Sequence, residues 1–162
     1  MKLSTQEEYG LRCLVRLGQQ PPGASLTIAE LSRGEGLSQP NVAKMMRVLR
    51  RAGLVRSTRG KDGGYALSRP AEQIKVGEVL AVLGGRLFDS AFCDTHSGGA
   101  GACANMGDCS IRSVWRLLQE AIDGVLGRMT LKDLVRSESD MRTWQGAQVV
   151  RLQVLPTGSD RR

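Results

Sequence analysis

A chain of 162 residues, 41% hydrophobic and 24% charged, is long enough for one compact domain with an appendage and too ordinary in composition for global disorder. Its longest apolar stretches are broken by Arg, Gly or Asp, and its first twenty residues lack the apolar centre of a secretory signal, so neither a membrane-spanning nor an exported chain is expected and the cytoplasm is the expected location. The net charge of +7 is confined to residues 1–70, where 12 Lys and Arg face five acids, whereas residues 71–162 carry 11 of each, so the N-terminal half is the expected polyanion-binding face.

The first helix opens at Ser4, with Glu7 completing a capping box, and runs to about Leu17 with Leu11, Leu14 and Val15 on one face. Cys13 on this helix reads as a small buried hydrophobe. Pro21-Pro22-Gly23 stops the helix, and Thr27 with Glu30 opens a second, short one that ends in Gly34-Glu35-Gly36. Ser38 is the expected cap of a third, with Pro40 in its first turn and Val42, Met45, Met46 and Leu49 at i, i+3, i+4 and i+7. Gly53 ends it. Two short strands, Leu54–Ser57 and Tyr65–Ser68, flank a glycine-rich basic connection, which predicts a hairpin with an exposed tip.

Helix, helix, turn, helix, hairpin is the order of a winged helix-turn-helix, here residues 1–70. The fold class expected is mainly α with one small β-hairpin, plus a long dimerisation helix. In the third helix Ser38, Gln39, Asn41 and Lys44 lie off the apolar stripe and are the candidates for the major groove, with Gln39 and Asn41 reading bases. Arg47, Arg50 and Arg51 suit phosphates, and the hairpin tip offers Arg59 and Lys61 to phosphates or the minor groove.

Residues 71–136 form a second expected unit of cysteine loop and dimerisation helices. A helix over Val76–Leu83 ends at Gly84-Gly85, and residues 89–109, with Gly98, Gly99, Gly101 and Gly107, read as a loop unable to build a core. Ile111, Trp115, Leu118, Ile122, Val125 and Met129 then recur as a heptad seam suited to pairing with a second copy. Thr130 and Asp133 open a last short helix to Val135. Residues 137–162 form a tail in which 149–155 could add a strand and 158–162 should fray.

Cys93, Cys103 and Cys109, separated by nine and five residues, bring three soft ligands into the glycine-rich loop. Such thiolates suit an iron-sulfur cluster, 2Fe-2S or 4Fe-4S, or zinc, and three of them leave one coordination position for a ligand from elsewhere. No Ser/His/Asp set, phosphate loop or dinucleotide motif points to an enzyme.

Through Tyr9-Gly10-Leu11-Arg12, the Arg59-Gly60-Lys61-Asp62-Gly63-Gly64-Tyr65 wing, Val76-Gly77-Glu78-Val79, the three cysteines and Thr130–Val135, residues 1–136 resemble the bacterial winged-helix iron-sulfur regulators typified by IscR and NsrR. The resemblance implies a cytoplasmic homodimer on a pseudo-palindromic promoter site, with a cluster that senses nitric oxide, redox or iron and sulfur status. IscR-like proteins take a fourth ligand, His, three residues after the last cysteine, where this chain has Arg112. NsrR-like members use an Asp on the first helix of the partner subunit, and the matching residue here is Glu8; His96, inside the loop, is its competitor. The alternative within the same fold is a cluster-free regulator that switches through its cysteine thiols.

Overall fold

Local signals set the first two helices. In the computed structural model, which describes residues 3–58, 63–89, 92–95, 103 and 105–143, Ser4 caps α1 (Thr5–Gly18) and Thr27 caps α2 (Ile28–Glu35). In each, the hydroxyl accepts the backbone N–H three residues on while that residue's glutamate accepts the cap's own N–H, so both expected capping boxes form. Gly36 ends α2 in the left-handed region, φ 64°. The third helix, α3 (Gln39–Arg51), does start after Ser38, but the serine side chain makes no capping bond. Pro40, the second residue of the helix, has no N–H to offer a cap, and the Ser38 hydroxyl does not take the remaining one, that of Asn41.

The hairpin pairs β1 (Val55–Thr58) with β2 (Gly64–Leu67), antiparallel, in the register Val55 to Leu67 and Thr58 to Gly64. Leu26 adds an isolated bridge to Tyr65, exchanging both N–H···O bonds at 2.9 and 2.8 Å, and so ties the segment before α2 to the wing. Beyond a 3-10 turn (Ala71–Gln73) come α4 (Val76–Gly84), α5 (Phe92–Thr95), α6 (Ser110–Leu126) and α7 (Leu131–Leu134).

One apolar core joins these pieces. Cys13, Leu14 and Leu17 of α1 meet the whole predicted stripe of α3, with Leu31, Leu54, Ile74, Val79, Leu83 and Leu131 around them. The buried face of α1 is thus Gly10, Cys13, Leu14 and Leu17, while Leu11 and Val15 are only half-buried beside it. Cys13 is the buried hydrophobe expected, and burial, with Glu35 nearby and Arg12 opposing, pushes its thiol up to about 11.

Two features depart from the sequence reading. Part of the 89–109 loop is helical, because Phe92 of α5 packs on Phe88 with ring centroids 5.3 Å apart. The heptad seam also divides: Met129 is buried in its own chain, where its carbonyl accepts the Val76 N–H at 3.0 Å and Leu131 N–H reaches Ile74 O at 2.8 Å. Ile111, Trp115, Leu118 and Val125 remain exposed. Residues 138–143 are helical, and the predicted strand over 149–155 lies outside the described residues. Among the described residues no helix is long and apolar enough to cross a membrane.

Candidate nucleic-acid interface and cysteine cluster

Because Val42, Met45, Met46 and Leu49 are buried, helical geometry directs Lys44, Arg47 and Arg51, at i, i+3 and i+7, to the opposite side of α3. Gln39, Asn41 and Arg50 flank that stripe, and all six are exposed. Among the described residues none of the four cations makes an ion pair with the chain. Ser38 is exposed at the helix N-terminus with its hydroxyl uncommitted, beside first-turn N–H groups suited to an anion.

The turn that presents α3 is held from behind. Arg12 and Arg16, one turn apart on α1, place their Nε atoms 3.1 Å from the two carboxylate oxygens of Glu35, and Arg16 Nη2 donates to Gly34 O at 2.6 Å. Arg12 Nη2 also donates to Glu35 O, and Ser32 Oγ to Leu37 O at 2.5 Å. These half-exposed pairs add little to stability, but they fix the backbone between α2 and α3. Sequence reasoning missed them, although two arginines four residues apart facing a lone turn glutamate were a usable signal. At the wing, Thr58 Oγ1 accepts the Gly64 N–H at 2.9 Å and donates to Gly64 O at 3.2 Å, closing the hairpin base. Arg59 and Lys61, the expected tip contacts, lie outside the described residues.

The cysteines occupy three different settings. Cys93 is on α5, Cys103 precedes a turn in which its carbonyl accepts the Met106 N–H at 3.1 Å, and Cys109 is the N-cap of α6; all three are half-buried free thiols. Cys109 Sγ accepts the Arg112 N–H at 3.4 Å. Arg112 folds back over the loop, its Nη2 donating to Asn105 O at 3.2 Å and Met106 O at 2.6 Å, while its Nε is buried with no hydrogen-bond partner among the described residues. A cleft lined by Phe88, Asp89, Cys93, Met106, Arg112 and Gln119 separates α5 from α6. Gln119, nearly buried, holds its far wall: Oε1 accepts the Phe88 N–H at 3.0 Å and Nε2 donates to Asp123 at 2.9 Å, which in turn pairs with Arg86.

Among the described residues no three His, Cys, Asp or Glu side chains already converge as a metal site. The donor set nonetheless fits an iron-sulfur group: three accessible thiols, one already accepting a backbone N–H, and a buried guanidinium donor beside them with no acceptor. Glu8 is exposed on the first turns of α1 and forms no ion pair among the described residues; His96 lies outside them.

Comparison with known proteins joins these features. The chain is 34% identical over 139 residues to the protein rrf2 of Nitratidesulfovibrio vulgaris, covering 86% of this chain and 90% of that one. It is 30% identical over 138 residues to the HTH-type transcriptional regulator IscR of Cronobacter sakazakii, covering 85% and 82%. Among solved structures it is similar to CymR, the global cysteine regulator of B. subtilis, with a TM-score of 0.67 at 27% identity over 83% of this chain and 96% of that one. IscR of T. potens gives a TM-score of 0.62 at 29% identity over 98% and 94%. With the model of the family described as "Rrf2: Iron-dependent Transcriptional regulator" matching residues 3–137, the chain belongs to the Rrf2 family of winged-helix transcriptional regulators.

Proposed function

We propose that two copies of this chain form a dimer that binds a pseudo-palindromic double-stranded DNA site and carries an iron-sulfur cluster whose state controls that binding. The observation that carries the reading is the stripe of Lys44, Arg47 and Arg51 on α3, charges without an ion pair among the described residues, opposite a buried face. Ser38, Gln39 and Asn41 at the N-terminal end meet base edges, Arg47 and Arg51 hold phosphates, and Arg59 and Lys61 extend the contact from the wing.

Dimerisation is supported by α6. Ile111, Val114, Trp115, Leu118 and Val125 are 37–59% exposed on one helical face, an apolar strip that water alone would not cover in a stable monomer. A second α6 crossing the first buries it.

Cys93, Cys103 and Cys109 would hold the cluster, with Glu8 of the partner subunit as the fourth ligand and His96 as its competitor. A bound cluster supplies a redox-active centre open to oxidants or nitric oxide. The carboxylate is the weakest of these ligands and the point where a signal acts. Since Glu8 is on α1, whose Arg12 and Arg16 hold the turn before α3, its release reaches the DNA-binding surface through one rigid helix. Such a regulator acts in the cytoplasm and is not an enzyme.

A second reading, thiol switching without metal, is favoured by the three half-buried free thiols and by the likeness to CymR, a cysteine regulator. An anaerobic visible spectrum with iron and sulfide analysis separates the two. Sulfur-to-iron charge-transfer bands are expected in the wild type and none in Cys103→Ala, while Glu8→Ala keeps most of the cluster and changes DNA affinity. Colourless, iron-free wild type would overturn the cluster in favour of the thiol switch.

A further inference from the structure

Arg112 has a donor to spare. Its Nη2 is committed to two loop carbonyls, yet its Nε–H, itself removed from water, reaches no acceptor among the described residues. Leaving such a donor unsatisfied carries its full desolvation penalty, so a buried orphan donor calls for a partner. Asp89 and Glu120 line the same cleft, and among the described residues Arg112 forms no ion pair with either. Cys93 lines that cleft as well, and the residue whose sulfur already takes the Arg112 backbone N–H is Cys109.

We infer that Arg112 is a hydrogen-bond donor to the cluster, its Nε–H directed at a cysteinyl or bridging sulfur and its charge held beside it by the Asn105 and Met106 carbonyls. The inference rests on the cluster reading above. It assigns Arg112 a positioning and tuning role, where the IscR resemblance would place a metal ligand. A positive donor next to the sulfurs stabilises the more negative, reduced cluster and therefore raises its reduction potential.

The test uses the full-length protein reconstituted anaerobically, with Arg112→Lys and Arg112→Gln beside the wild type. Iron and acid-labile sulfide are measured first, then the midpoint potential by redox titration. Both variants are expected to hold wild-type iron and sulfide and to titrate at a more negative potential, Arg112→Gln furthest because it loses the charge as well as the Nε donor. An unchanged potential in both variants, or loss of the cluster from both, overturns the inference and makes Arg112 a loop clamp only. Absence of iron and sulfide from the wild type itself overturns the cluster reading, a result distinguishable because it precedes any comparison of variants.

Discussion

Replacing Arg51 by alanine tests whether the outer stripe of α3 binds phosphate. Arg51 is exposed and without an ion pair among the described residues, so its loss should change folding stability by no more than about 0.5 kcal/mol. The proposed dimer would lose two such arginines. Each phosphate contact contributes about 0.9 to the slope of log affinity against log salt, so the slope should flatten by about 1.8. Between roughly 50 and 200 mM salt the advantage of wild type over Arg51→Ala should therefore shrink roughly 12-fold. Fluorescence anisotropy at several salt concentrations, with a specific duplex and a scrambled one, reads this directly. The loss should be alike on both duplexes. By contrast Asn41→Ala should leave the slope intact and cost roughly 1–3 kcal/mol of discrimination at one base position per half-site. An unchanged slope in Arg51→Ala, or a loss confined to the specific duplex, would refute the phosphate assignment.

Three further outcomes are expected from the packing. A Cβ on Gly64 would lie 2.6 Å from the Leu26 carbonyl oxygen, whereas one on Gly10 would meet the Leu83 side chain at 2.5 Å, so Gly64→Ala should lower stability by about 3 kcal/mol and Gly10→Ala by about 1 kcal/mol in thermal melts. Equal losses would show that the Leu26–Tyr65 bridge yields as easily as a side chain. In cluster-free protein iodoacetamide should label Cys93, Cys103 and Cys109 well before the buried Cys13, as peptide mass mapping would reveal; simultaneous labelling would contradict the packing of α1. Burial pushes the Asp133 carboxyl up, but hydrogen bonds from the Thr130 N–H at 2.9 Å and hydroxyl at 2.7 Å, with Arg136 and Lys75 nearby, hold it below its ordinary 3.8. Its contribution is thus present above pH 3.8 and lost as pH falls through the lower folded value, so the stability gap between wild type and Asp133→Asn should close in that acid range. A gap independent of pH would point to a loss other than the charge.

What the sequence disclosed was governed by distance along the chain. Ser4 with Glu7, Thr27 with Glu30, and the α3 stripe are interactions within one turn or two, and each appeared where it was expected. Gln119 shows the opposite case. On its helix it reads as a solvated polar residue, and nothing near it announces that it will receive an amide 31 residues earlier in the chain. Met129 fitted the heptad, but the pairing of Val76 and Ile74 with residues 129 and 131 turned it inward. In the site, the three cysteines and the cationic face of α3 were legible from residue type and spacing, while the Arg12–Glu35–Arg16 clamp and the spare donor of Arg112 depend on a fold that brings distant segments together.

The attachment of α6 has a mechanical consequence. Gln119 and Asp123 fasten the helix to the 86–88 segment, yet from Ser110 to Leu118 every side chain but Arg112 is exposed, so this stretch is a cantilever with Cys109 at its tip. At 1.5 Å per residue the overhang is about 15 Å, and a tilt of about 10° about Gln119 swings the tip through about 2.6 Å. That travel is comparable to a metal–sulfur bond of about 2.3 Å. Small angular changes where two such beams cross would thus be enough to open or close the gap between Cys109 and the other thiols, and the same lever run backwards would turn a change at the sulfurs into a change of angle between the two halves of a dimer.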